Sequence, residues 1–195
     1  MVFAMRLSPC QKDEVVKLSR KISFGLSVRE IKQTVRAIER YKKELNNKIE
    51  EFCKAIIVFG QVKAIQFAND SPLGKTITIT TDISKTVTGC KAMLIGVGQT
   101  RQSEGYDPVN TLLLIEFGSG IKYNPIDNPK SNEFGMGVGA YPGQVHAFQE
   151  EGWYYWGEDE QWHHSYGVKA TMPMYNSGKA MREHIVKIAK DIFKS

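Results

Sequence analysis

Residues 28–56 read VREIKQTVRAIERYKKELNNKIEEFCKAI, and the reading of this stretch decides the fold. Val28, Ile31, Val35, Ile38, Leu45, Ile49, Phe52 and Ile56 recur at spacings of three and four, with only Lys42 interrupting. That period lines the apolar side chains along one face of an α-helix. Ser27 and Glu30 form a capping box that marks its start. Glu39–Lys43, Glu44–Lys48 and Glu50–Lys54 add i,i+4 ion pairs in the favourable order. The predicted helix runs for about eight turns, with a continuation past Gly60 to Ala68 left open. An isolated coiled coil would show the same stripe. A long helix laid across a sheet is preferred, because strand-like segments follow it.

On the C-terminal side, NDSPLGK is a predicted loop. TITITTDIS then alternates, with Ile77, Ile79 and Thr81 on one face, and TVTGCKAMLIGVG supplies a second strand to make a hairpin or meander. On the N-terminal side, SPCQKDEVVKLSR (8–20) opens with Ser8, Pro9 and Gln11 at helix-start positions, and KISFGLS alternates as a brief strand. DPVNTLLLIEFGSG places Asp107 as N-cap, Pro108 at the first helical position and Gly118 just past the end of a short buried helix. Residues 120–152 are rich in Gly, Pro and Asn and read as a long loop. GWYYWGEDEQWHHSYG reads as a β-hairpin with an acidic tip. Met181, Ile185, Ile188, Ala189 and Ile192 define a terminal helix expected to close on the same sheet. The predicted class is α+β in one domain spanning 1–195. A long N-terminal helix and a C-terminal helix pack on a small, mainly antiparallel sheet. Residues 1–20 form a helical extension, and 121–163 an inserted loop and aromatic hairpin.

Length and composition suit one full core: 195 residues, 42% hydrophobic and 24% charged. The longest aliphatic runs fall far short of the roughly 20 residues of a membrane span, and MVFAMRL shows no secretory signal. Three widely spaced cysteines, Cys10, Cys53 and Cys90, read as free thiols in a reducing cytosol. The net charge of +5 is spread along the chain, which permits contact with a polyanion without a recognisable nucleic-acid motif.

Glu116 is the residue that composition does not explain. As a helix, the stretch puts it on the stripe of Val109, Leu112 and Leu113; as a strand, it shares a face with Leu112 and Leu114. A shielded carboxylate must be paired, hydrogen-bonded or protonated. Catalysis would need a partner acid, base or metal, and none can be assembled from spacing. Ser119 has Phe117 where a nucleophile elbow wants glycine. His163 and His164 are strand neighbours that point to opposite faces, while His146 and His184 lack ligand-like spacing. GMGVGAYPG (135–143) has no phosphate-loop pattern. No catalytic residue, cofactor or metal is therefore assigned. A structural Glu116 is expected instead, held by backbone N–H groups of the turn after Phe117 and by Arg or Lys from the long helix or a neighbouring subunit. Trp153, Tyr154, Tyr155, Trp156, Trp162 and Tyr166 exceed what a hairpin needs for its own core. Trp153, Tyr155, Trp156 and Trp162 are the candidate interface residues.

ISFGLSVREIKQTVRAIERYKKEL, IEFGSG (115–120) and HSYGVKATMPMYNSGKAMRE (164–183) together resemble the tail-completion, or minor tail (head–tail joining), family of long-tailed bacteriophages. In that family a short strand leads into a long helix, a Glu-Phe-Gly-Thr/Ser-Gly element follows, and Ala-x-Pro-aromatic opens the last helix. Glu116, Phe117, Gly118 and Gly120 match, Ser119 replaces threonine, Ala170 and Pro173 correspond but with two residues between them, and Met174 stands where phenylalanine is usual. The resemblance covers 22–118 and 164–193. It implies a non-enzymatic virion protein, made in the host cytoplasm and resident in the neck or tail. Copies would form a ring, expected to be a hexamer. Its partners would be itself, tail-tube and head-connector proteins, and genomic DNA passing through with at most non-specific contact, and no membrane. Tail terminator and head-closure adaptor are neighbouring alternatives. A small hydrolase using Glu116 or the His163/His164 pair is the alternative from another class.

Overall fold

The computed structural model describes residues 3–5, 25, 27–86, 89–102, 108–120, 129–131, 133, 149–157 and 159–194. The expected helix at 8–20, most of the expected strand at 21–27, the Asp107 cap and most of the 121–148 loop lie outside these residues.

The capping box forms as read: Ser27 Oγ accepts from Glu30 N–H, and Glu30 Oε2 accepts from Ser27 N–H, each at 3.3 Å. From it, helix α1 runs without a break over Val28–Asn69. Its 42 residues span about 63 Å. Gly60 does not end it. A Cβ there would meet the Met181 sulfur at 2.3 Å, so the missing side chain lets the C-terminal helix approach closely. Ala64 and Ala68 keep the following turns small and buried.

Beyond Asn69 the expected loop is partly a 3₁₀ turn, Pro72–Thr76. Strands β2 (Ile77–Thr86) and β3 (Gly89–Gly98) then pair antiparallel along their whole length. β1 (Phe3–Met5) pairs with the other edge of β3, giving the order β1-β3-β2, so residues 3–5 are a strand and not part of the helical extension expected over 1–20. α1 crosses this sheet, and Gln61 Nε2 donates to the Ile79 carbonyl at 3.0 Å.

β4 (Thr100–Arg101) and β5 (Val109–Asn110) make a two-residue ladder, and α2 occupies Thr111–Phe117. The cap is therefore Asn110, whose Oδ1 accepts from Leu112 N–H at 3.0 Å, and not Asp107. The ladder holds the backbone extended as far as Asn110, so the Asp-Pro signal three residues earlier cannot start a helix. The aromatic hairpin is β6 (Trp153–Trp156) paired with β7 (Trp162–Ser165). Helix α3 spans Pro173–Lys194.

The architecture is α+β, as the periodicities predict. α3 meets the sheet, with Met174 of its first turn against Gly96 and further contacts to β1, and it also lies antiparallel along α1. Met181 covers Gly60, His184 stacks near Phe59 at 4.8 Å, and Phe193 lies 6.2 Å from Phe52. The core gathers Ile56 and Ile57 of α1, Ile79 and Leu94 of the sheet, Leu112 and Ile115 of α2, and Met174 and Met181 of α3.

Candidate functional site

Two features of the sequence acquire a definite geometry. The first surrounds Glu116. α2 buries six of its seven residues, Leu114 being the half-buried one, so a carboxylate at position 116 is sealed wherever the helix docks; it is 1% exposed. Its two oxygens accept backbone N–H groups of the first turn of α3: Oε2 from Met174 and Oε1 from Tyr175, both at 2.9 Å. These are the orphan donors that a cap side chain normally satisfies. The residue before Pro173 is Met172, which has no oxygen to offer. Glu116 does the capping from 58 positions away and sets a negative charge at the positive end of the helix dipole. These two donors belong to the first turn of α3, a different element from the turn after Phe117 that the sequence suggested.

Neighbouring residues complete the clasp. Thr171 and Met172 both donate N–H to the Ile115 carbonyl, at 2.9 and 3.0 Å. This holds Met172 in the left-handed region, at φ 49°, just before the helix begins. Gly118 ends α2 at φ 78°, donating to the Leu114 carbonyl. Ser119 then pairs with Val168 as an isolated antiparallel bridge, and its Oγ accepts from the same Val168 N–H at 2.9 Å. A Cβ on Gly167 would fall 1.8 Å from the Ser119 carbonyl oxygen, and one on Gly120 would fall 2.4 Å from that of Tyr166. Glu116, Gly118, Gly120 and Pro173, far apart in the chain, thus meet in one knot, with Phe117 buried beside Leu113.

The second feature is the hairpin. Cross-strand partners are Trp153–Ser165, Tyr154–His164, Tyr155–His163 and Trp156–Trp162. Trp156 and Trp162 meet edge to face at 5.4 Å, yet stay 57% and 67% exposed. Tyr154, omitted from the sequence-based interface set, is also exposed, whereas Trp153 is half-buried. His163 and His164 point to opposite faces. His163 stacks on Tyr155 and donates Nε2–H to Asp159 Oδ1 at 2.8 Å; His164 donates Nε2–H to the Glu151 carbonyl at 2.7 Å and sits near Tyr154 and Tyr166. The His163 hydrogen bond holds the Asp159 carboxyl below its usual range. Among the described residues, no group of three His, Cys, Asp or Glu could hold a metal.

A third surface was read only as core-forming in the sequence. The apolar stripe of α1 is buried from Ile56 onward, but Val28, Ile31, Val35 and Ile38 are exposed, Val28 by 70%. α3 ends opposite Phe52, so among the described residues no helix covers these earlier turns. Beside them Gln33, Arg36, Glu39, Arg40 and Lys43 line an open groove in which three basic side chains outnumber one acidic.

Compared with protein-family models, curated proteins and solved structures, the chain matches none. No described helix is long and apolar enough to cross a membrane.

Proposed function

We propose that the chain is a structural virion protein of a phage neck or tail, whose copies close into a ring, expected to be hexameric, that completes the tail and joins it to the head connector. The observation that carries this reading is the clasp. The two segments that carry the resemblance, 115–120 and 164–183, are remote in sequence and form one hydrogen-bonded unit: Glu116 accepts from Met174 and Tyr175, Ile115 from Thr171 and Met172, and Ser119 bridges Val168. A shared clasp gives their joint occurrence in this chain a physical reason. Exposed aromatics on β6 and β7 and the bare apolar stripe of α1 supply surfaces of the kind that heterologous ring contacts use. Arg36, Arg40 and Lys43 suit sequence-independent contact with a nucleic-acid backbone. The hydrolase alternative gains no comparable support. Glu116, His163 and His164 are each engaged in the hydrogen bonds that hold local structure.

Native mass spectrometry of the protein, alone and with purified tail tubes, tests the reading. A ring-sized species, or a collar at one tube end in electron micrographs, is the expected result. A subunit spread along the tube, or absent from particles, would overturn it.

A further inference from the structure

A contact between α1 and the β2–β3 hairpin brings two thiols together. On β2, Ile79, Thr81, Ile83 and Lys85 alternate onto one side of the sheet, and their direct partners on β3 are Gly96, Leu94, Ala92 and Cys90. Leu94 is buried in the core, so this is the side that α1 covers. Lys85 Nζ reaches Glu50 Oε2 on α1 at 2.8 Å, and Lys54 joins the same carboxylate at 2.9 Å. Cys53 follows Glu50 by three residues and so lies on the same helix face. The helix therefore sets Glu50 and Cys53 against the strand pair Lys85 and Cys90. Both thiols are half-buried and free, and Cys90 lines an open cleft with Asn46, Asn47 and Glu50.

We propose that Cys53 and Cys90 are a reactive thiol pair, which a small-molecule disulfide converts into an intrachain disulfide fastening α1 to β3. The chemistry has two exchanges. The Cys90 thiolate attacks one sulfur of RSSR, giving the mixed disulfide Cys90–S–S–R and releasing RS⁻, which takes up the proton lost from Cys90. The Cys53 thiolate then attacks the Cys90 sulfur, forming Cys53–S–S–Cys90 and releasing a second RS⁻, which leaves as RSH with the Cys53 proton. Two protein thiols are oxidised, and one RSSR is reduced to two RSH.

The order follows from the surroundings. Burial, then the hydrogen bond and charge of Cys90, push the Cys53 thiol up to about 12, so it stays protonated near neutrality. Cys90, facing the cleft and the Lys85 ammonium across the ladder, is the accessible first nucleophile. Once Cys90 is capped, the closing step should accelerate about tenfold per pH unit through the neutral range, in proportion to the Cys53 thiolate.

The test treats the folded full chain with oxidised glutathione, quenches with acid and maps peptides by mass spectrometry, following Cys10 separately. The expected product is a Cys53–Cys90 linked peptide pair, reversed by dithiothreitol. The Cys53→Ser variant should instead stop at a single glutathione on Cys90. Stable glutathione adducts on both Cys53 and Cys90 of the parent chain would overturn the proposal. So would their remaining unmodified while Cys10 reacts.

Discussion

The clasp around Glu116 and the aromatic hairpin use conspicuous residues in opposite ways. In the clasp a charged group lies inside, and its oxygens accept backbone donors that would otherwise be orphaned at a helix start. In the hairpin, large apolar rings lie outside, and even the mutually contacting Trp156 and Trp162 leave most of their surface to solvent. A buried charge is tolerated when its surroundings are complete, whereas exposed rings retain a capacity for contact that the described residues leave unfilled. One region holds the body together, and the other is available to something beyond it.

The largest effect should come from breaking the clasp. Glu116→Gln keeps the shape but turns one acceptor into a donor facing backbone N–H. It should cost about 3–5 kcal/mol, read as a large fall in denaturation midpoint. A variant that melts like the parent would remove Glu116 from the stability argument. Gly167→Ala attacks the same knot by steric means. The residue sits at φ 107°, and its Cβ would collide with the Ser119 carbonyl oxygen. A loss of about 1–3 kcal/mol is expected by chemical denaturation, separating backbone strain from loss of charge.

The hairpin should respond differently. Trp156→Ala with Trp162→Ala removes an aromatic pair worth about 0.5–1.5 kcal/mol locally. The thermal transition of the body should therefore barely move, while ring formation or tail joining is lost. If the melting temperature falls as far as with Glu116→Gln, the rings are core after all and the contrast fails. The smallest effect concerns pH. The Asp159 carboxyl is depressed by its hydrogen bond to His163, so the contribution of the ionised form is present above the unfolded value, near 3.8, and fades as pH drops through the lower folded one. Proton NMR of the Gly157 and His163 amides should show the hairpin tip unchanged on acidification until pH falls below that value.

How much of this was legible depended on how local the cause was. α1 was readable because its stripe and its capping box act within a few residues of one another. The hairpin was readable because aromatic runs flank an acidic tip. The start of α2 misled because two cap signals compete within four residues, and a two-residue ladder decided between them. The partner of Glu116 could not be read, since its donors lie 58 and 59 positions away. One hint was present: Met172, at the cap position before Pro173, has no side-chain acceptor, so a cap from elsewhere was to be expected. The meeting of Cys53 with Cys90 was equally hidden. Strand register alone could align Lys85 with Cys90, but only the crossing of α1 over the sheet brings Cys53 to them.

The Ser119–Val168 bridge joins positions 49 apart as if they were the two feet of a hairpin stem. Whatever the chain does between them begins and ends at one place on the body. Loop-closure entropy grows only logarithmically with length, by about 0.6 kcal/mol per doubling. The excursion can therefore lengthen, shorten or be exchanged for another at little thermodynamic cost, provided Gly120 and Gly167 remain to let the feet approach. The bridge is a natural grafting point, at which one excursion could replace another without disturbing the body.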